Sequence, residues 1–353
     1  MKICILSDSH DNRELLAAAV RAAKEAGAEA VLHCGDVVAP STLSVITPLG
    51  LPVHVIHGYQ EGPRLFVSAA IHGDEINGTE IIRRLMKLKK IKKLKGTLIA
   101  VPVVNVYGFL KQSRYSPDRR DLNRFFPGSE KGSLTSQLAD IFMDEIVANS
   151  THGIDLHAGS NHRTNFPQIR ANTEDAEVLR LAQAFRVPII INANIRDGSL
   201  RQAVAKKGIP FLLYEAGEAL RFDEFAIRAG IRGIVSVMET IGMLRSSRAR
   251  KAVIEPLIAV ATTWLRAPAS GILHMNVPLG AKVAKNKKIG VIADPFGAQE
   301  AVIESPVSGM VIGRLNLPLV HQGDAVIHIA HIDHIAGIEP IVEDFREDVI
   351  GTQ

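Results

Sequence analysis

The sequence predicts an α/β fold, a mixed sheet with helices on both faces, preceded by a βαβ segment and followed by a small β module. Three observations carry this. Short apolar runs alternate with helix-spaced segments from the first residue to about residue 247, the pattern of a sheet covered by crossover helices. After "RSSRARKAV" the texture changes to short β-rich stretches punctuated by Gly and Pro. That last block also repeats itself, "APASGILHMNVPLGAKVAKNKKIGVIA" at 267–293 against "SPVSGMVIGRLNLPLVHQGDAVIHIA" at 305–330.

In chain order, residues 1–50 read strand, helix, strand through "KICIL", "NRELLAAAVRAAKEAG" and "EAVLHCGD", a βαβ opening. Residues 51–250 continue with "LPVHVIHG", "RLFVSAAI", "GTLIAVPVVNV", "HGIDLHAG", "VPIIINAN" and "IPFLLYEAG" as strands, and "RFDEFAIRAGIRGIVSVMETIGML" as the closing helix. Residues 251–353 form the β module. Each repeat reads Pro, small, Ser, Gly, apolar, then Pro-Leu, Gly and an apolar strand, and two such copies bury one face against each other. The module resembles the barrel-sandwich fold of biotinyl and lipoyl carriers. Carriers hold a lysine between the copies, whereas "DPFGAQEAVIE" has none, so a structural or substrate-shaping module is expected.

Composition narrows the function classes. With 46% hydrophobic and 22% charged residues in 353, the chain is ordinary globular material with enough length for a sizeable core. It has no apolar run of membrane-spanning length, and the N-terminus meets acidic groups too early for a signal peptide, so a cytoplasmic location and no membrane partner are expected. Cys4 and Cys34 are the only cysteines, which excludes a disulfide scaffold and a cysteine-rich zinc site. Any metal must use His and carboxylate. The six lysines of "KLKKIKKLKG" at 87–96 lack interleaved aromatics and read as a solvated helix end, so no nucleic-acid partner is expected. The β module is a reasonable contact surface for a homo-oligomer.

The polar groups that close the central strands point to chemistry. In "VSAAIHGDEINGTEII" an apolar run opens onto His72 and Glu75, three apart, a spacing suited to two metal ligands. "GIDLHAGS" brings His157 as a third, and hydrolytic zinc uses three such ligands beside a water. Functional groups collect at the carboxyl ends of strands in open α/β sheets. In "IPFLLYEAGE" Glu215 follows a nearly all-apolar run, a costly place for a carboxylate unless it works, and a general base is the work that hydrolysis needs. Between them, "DRRDLNRFFPG" offers Asn123 and Arg124 side by side, an amide and a guanidinium suited to gripping a carboxylate.

Together "HGDE", "DLNR", "DLHAG" and "YEAGE" resemble the succinylglutamate desuccinylase and aspartoacylase family, itself related to the zinc carboxypeptidases, over about residues 51–330. The resemblance implies one zinc ion per chain held by His72, Glu75 and His157, with Glu215 as general base and Asn123 with Arg124 on the substrate carboxylate. It further implies that Arg114 polarises the scissile carbonyl, a role for which Arg119 and Arg120 compete in sequence. The implied substrate is a small N-acyl amino acid or short acidic peptide, cleaved at its amide. No G-x-S-x-G elbow, dinucleotide loop or phosphate-binding loop occurs.

The first fifty residues follow another pattern. "ILSDSHDN" with Asp8 and His10, and "HCGDVV" with Asp36, resemble the opening of calcineurin-like metallophosphoesterases, whose D-x-H and G-D motifs feed a two-metal site. The likeness runs through "LPVHVIHG". Tyr59 then stands where that family continues with Asn, and no G-H-x-H motif follows, so at most weak metal binding is expected there. A fusion, an engineered chimera or an assembly error at the shared strand would each produce this join. The alternatives to deacylation are therefore phosphoester hydrolysis through the N-terminal motifs and a catalytically impaired fusion.

Overall fold

The structure is a computed structural model and describes residues 3–7, 20–22, 24–25, 30–34, 50–160, 162–193, 196–246 and 255–351. Asp8, His10 and Asp36 lie outside the described residues. The architecture is the expected mixed α/β one, with a small separate antiparallel sheet toward the C-terminus. Two compact units divide it, residues 1–156, 196–211 and 241–244 against 157–195, 212–240 and 245–353. No helix among the described residues is long and apolar enough to cross a membrane.

In the first unit β1 (Ile3–Ser7) and β2 (Ala30–Cys34) pair in parallel as a two-stranded sheet. The central strands are β3 (His54–His57), β4 (Arg64–Ala69), β5 (Thr97–Val101) and β6 (His152–Gly159), of which residues 152–156 belong to this unit. β5 lies antiparallel to β3 and parallel to β4, which is parallel to β6 in the register Ala69↔Leu156. β5 is buried at every position and β4 at all but its first, so both read as continuous apolar runs. Each such Val, Leu or Ile contributes roughly 1.5–3 kcal/mol through its burial.

Helix α1 (Asn77–Lys87) packs Ile81, Ile82 and Leu85 inward. Its half of the lysine-rich run ends at Lys87, and a 3₁₀ turn over Lys89–Lys93 follows. All six lysines are exposed, while Ile91 and Leu94 are buried, so two apolar anchors pin an otherwise solvated segment. On α1, Glu80 is buried and accepts from Arg83 at 2.5 and 2.7 Å and from Arg84 at 2.6 Å. The Arg83 hydrogen bond, against the opposing effect of burial, holds the Glu80 carboxyl down at about 2, compared with an ordinary 4.5. A depressed carboxyl stabilises the fold above its unfolded value and loses that contribution as pH falls through the folded one. Because both arginines are partly exposed, Glu80→Gln should cost only about 1 kcal/mol at pH 7. Denaturant melts of the two proteins should converge as pH drops from 4.5 toward 2.

In the second unit β7 (Arg163–Ala171) is the hub. It pairs in parallel with β8 (Ile189–Asn192) and antiparallel with β9 (Phe211–Glu218), of which residues 212–218 belong to this unit. Among the β-module strands, β10 (Leu257–Ala259) pairs with β8, and β11 (Thr262–Arg266) pairs with β18 (Ala325–His331). β18 pairs with β16 (Gly309–Leu315), which pairs with β13 (Lys282–Val283) and, in the register Gly313↔Asn165, with β7. The second repeat is thus hydrogen-bonded into the sheet that carries β9.

The separate sheet runs β15 (Glu300–Glu304), β14 (Lys288–Ala293), β12 (Gly271–Met275), β17 (Leu319–Val320), all antiparallel. One apolar cluster joins the two repeats, Leu273, Ile289 and Ile292 from the first meeting Val311, Val326 and Ile327 of the second. Each copy thus buries apolar side chains against the other. Helix α2 (Val106–Leu110) belongs to the first unit, and the last helix, Ile338–Ile350, packs with Phe345 among Phe166 and Phe225 in the second.

Candidate active site

β4 ends at Ala69, and His72 stands three residues later in a tight turn in place of the strand end that the sequence suggests. The chain turns because Val104 and Asn105 donate their N–H groups to the Ala69 and Ala70 carbonyls, and Ala70 is left-handed with φ 52°. A Cβ on Gly73 would sit 2.0 Å from the Gly108 carbonyl carbon, so only glycine lets the turn press on α2. Glu75 N–H closes the turn on the His72 carbonyl at 3.1 Å, and α1 starts two residues on.

His72 and Glu75 are both buried, with Nδ1 and Oε1 2.7 Å apart. The other ring nitrogen, Nε2, lies 3.0 Å from Asp121 Oδ1. Arg114 closes a ring of four side chains, donating to Glu75 Oε1 at 3.3 Å and Asp121 Oδ2 at 3.0 Å. Burial alone would raise the Asp121 carboxyl, but the His72 hydrogen bond and the Arg114 guanidinium outweigh it and hold the group far below the ordinary carboxylate range. The neighbouring Asp74 moves the other way, raised first by burial and then by Glu75.

His157 lies within β6 and not at its end, since the strand runs on to Gly159. It follows Leu156, whose partner is Ala69 at the end of β4. His72, Glu75 and His157 are all buried, and one ligand atom from each lies within 4.8 Å of the others. Two imidazoles and a carboxylate, shielded from water and converging, fit a zinc-type ion, which accepts N and O ligands at about 2.0–2.2 Å.

Asn123 and Arg124 sit in a 3₁₀ turn, Leu122–Arg124, capped by Asp121, which accepts from Asn123 N–H at 3.0 Å. Asn123 is buried and its Oδ1 accepts from Leu200 N–H at 3.0 Å, which leaves its amide nitrogen as donor. Arg124 is exposed, with Nη1 on the Asn123 carbonyl. Of the three competing arginines, Arg114 is the one at His72 and Glu75. Arg119 is exposed, and Arg120 faces Asp118 and lies over the Phe125 ring.

Glu215, in the second unit, is likewise inside its strand, directly opposite Gln168 in the β7–β9 register. Oε1 accepts from Asn165 Nδ2 at 2.9 Å, and Oε2 is paired with Arg170 Nε. Gln168 is wholly buried, and neither polar atom of its amide has a hydrogen-bond partner. Sequence reading missed Asp121, Asn165 and Arg170. Asp121 stands among arginines in "DRRDLNR", a stretch that reads as a basic surface turn. Nothing in the sequence ties 165 or 170 to 215, because their meeting depends on the register of β7 and β9.

The sequence model of the succinylglutamate desuccinylase/aspartoacylase catalytic domain matches residues 61–241, more than half of the chain. The chain belongs to the succinylglutamate desuccinylase/aspartoacylase family. A relative of this desuccinylase/aspartoacylase chain, N-alpha-acetyl-L-2,4-diaminobutyric acid deacetylase from Halomonas elongata, is 27% identical over 296 residues, 80% of this chain and 86% of its own. Among solved structures, the product-bound ectoine utilization protein EutE (DoeB) from Ruegeria pomeroyi is 25% identical with TM-score 0.71, covering 80% of this chain and 90% of that one. A succinylglutamate desuccinylase/aspartoacylase from Rhodobacter sphaeroides, 24% identical with TM-score 0.70 over 80% and 89%, shares the fold. The calcineurin-like phosphoesterase superfamily model also matches, over residues 1–120, and so overlaps the first match from 61 onward.

Proposed function

We propose that the chain is a zinc-dependent hydrolase that cleaves the amide bond of a small N-acyl amino acid or short acidic peptide. The observation that carries this reading is the buried set of His72, Glu75 and His157 with ligand atoms within 4.8 Å of one another. Family membership and the deacetylase relative support the substrate class. A zinc ion bound there supplies Lewis acidity toward the acyl oxygen and makes water a usable nucleophile near neutral pH.

The chain's own residues do the rest. Glu215 takes a proton from the attacking water and returns it to the leaving nitrogen, so that water oxygen joins the acyl carbon as the C–N bond breaks. Arg114 orients the acyl oxygen and stabilises the negative charge that develops on it. Asn123 and Arg124 hold the free carboxylate and so place the amide.

The test is a panel of N-acetyl and N-succinyl amino acids given to protein purified in zinc-containing medium, read by amine release and metal content. About one zinc per chain and turnover of at least one panel member is the expected result. Less than about half an equivalent of zinc with no amine released would overturn the reading and favour an impaired fusion. A second reading, phosphoester hydrolysis, is favoured by the match over residues 1–120. It predicts hydrolysis of bis(p-nitrophenyl) phosphate that vanishes in Asp36→Ala. We expect none above background.

A further inference from the structure

We propose that Asn165 and Arg170 are positioning residues for Glu215, and that the C-terminal β module sets Asn165 through Gly313. The inference rests on the reading of Glu215 as general base.

The two donors divide the carboxylate between them, Asn165 on Oε1 and Arg170 on Oε2. Each oxygen keeps a second lone pair, so the grip fixes the plane of the carboxylate without using up its capacity to accept a proton. Arg170 lies two residues beyond Gln168 on β7, on the face that Gln168 shares with Glu215. Asn165 reaches the same carboxylate across the irregularity in register between 165 and 168. Its side chain is therefore placed by more than regular pairing.

What places it is β16. Gly313 is opposite Asn165 on one side and His328 on the other. A Cβ at Gly313 would stand 2.8 Å from Asn165 Oδ1 and 3.2 Å from His328 Cβ. The missing side chain is the space in which the Asn165 amide turns its nitrogen toward Glu215. His328 closes the far side of this space, stacked on Trp264 at 4.4 Å between ring centroids and 8° between planes. Burial, and then Arg170, push the His328 imidazole down to about 3, so it stays neutral near pH 7 and its charge does not oppose Arg170. The strands carrying Gly313, His328 and Trp264 all come from the β module, which gives that module a task at the base.

Three variants test this in the zinc-loaded protein with the amine-release panel. Asn165→Ala and Gly313→Ala should each lower kcat about 10- to 100-fold, with KM and zinc content held, because a misplacement of about 1 Å costs up to about a hundredfold in rate. The double variant should match Asn165→Ala alone, since an alanine at 313 has no amide left to displace; contacting residues are expected to be non-additive in this way. Asn165→Asp keeps the volume and removes the donor, so it should lose at least as much as Asn165→Ala.

A packing role predicts instead a near-parental Asn165→Asp and losses that multiply in the double variant, and either result overturns the proposal. So does a kcat within threefold of the parent in Asn165→Ala. Glu215→Gln separates the two levels. If it retains the parental kcat, the base assignment fails and this proposal with it. If it is inactive while the 165 and 313 variants turn over normally, the proposal alone fails.

Discussion

Glu215→Gln should bind zinc at the parental stoichiometry and turn over about 10²–10⁴ times more slowly. The substitution keeps the shape of the side chain and replaces a proton acceptor with an amide, and loss of a general base costs that range. Glu215 is not in the set of converging ligand atoms formed by His72, Glu75 and His157. Its own contacts are Asn165 and Arg170, neither of which is in that set, so its removal takes no ligand from it. Metal analysis and kcat measured on the same preparation decide the point. Zinc lost with the rate would make Glu215 a ligand, and a kcat within about threefold of the parent would remove it from the chemistry.

The cluster of His72, Glu75 and His157 that could hold a metal ion was legible in the sequence and the groups hydrogen-bonded around it were not, for a physical reason. No one of His72, Glu75 and His157 is marked by its own position, since single polar residues often close apolar runs, but their recurrence together with Glu215 and "DLNR" marks the group. Asp121 sits in a run of arginines, where a carboxylate is unremarkable. Only the fold shows that it reaches back 49 positions to His72 Nε2 and shares Arg114 with Glu75.

The same limit applies to strand ends. His72 lies beyond its strand, while His157 and Glu215 lie within theirs, because a strand stops where its backbone pairing stops and not where its apolar side chains do. The repeat in the β module was visible as a pattern of Pro, Ser, Gly and apolar residues. Its pairing to β7 was not, because on the β7 side the residues that meet it, Arg163, Thr164 and Asn165, are all polar and carry no apolar signature.

His157→Ala should lose metal and activity together. Two ligands rarely retain zinc well, since structural and catalytic sites alike use at least three protein donors. The remaining pair is also drawn into other contacts: His72 Nδ1 faces Glu75 Oε1 at 2.7 Å, and Glu75 accepts from Arg114 at 3.3 Å. With the third donor gone, these two are satisfied by each other and by Arg114 and Asp121, and the competition with a cation tips toward the internal ion pairs. Equilibrium dialysis against zinc should then show affinity weakened by at least about a hundredfold, a loss at the upper end of what even outer-shell partners of a site cause. Turnover at low zinc should fall to background, with partial return as zinc is raised to millimolar levels. The fold should survive, because His157 is one position of an eight-residue strand whose pairing with β4 covers residues 152–156. A His157→Ala protein that keeps a full equivalent of zinc after dialysis, or that unfolds with its metal, would show that the ion is held elsewhere or that the residue is structural.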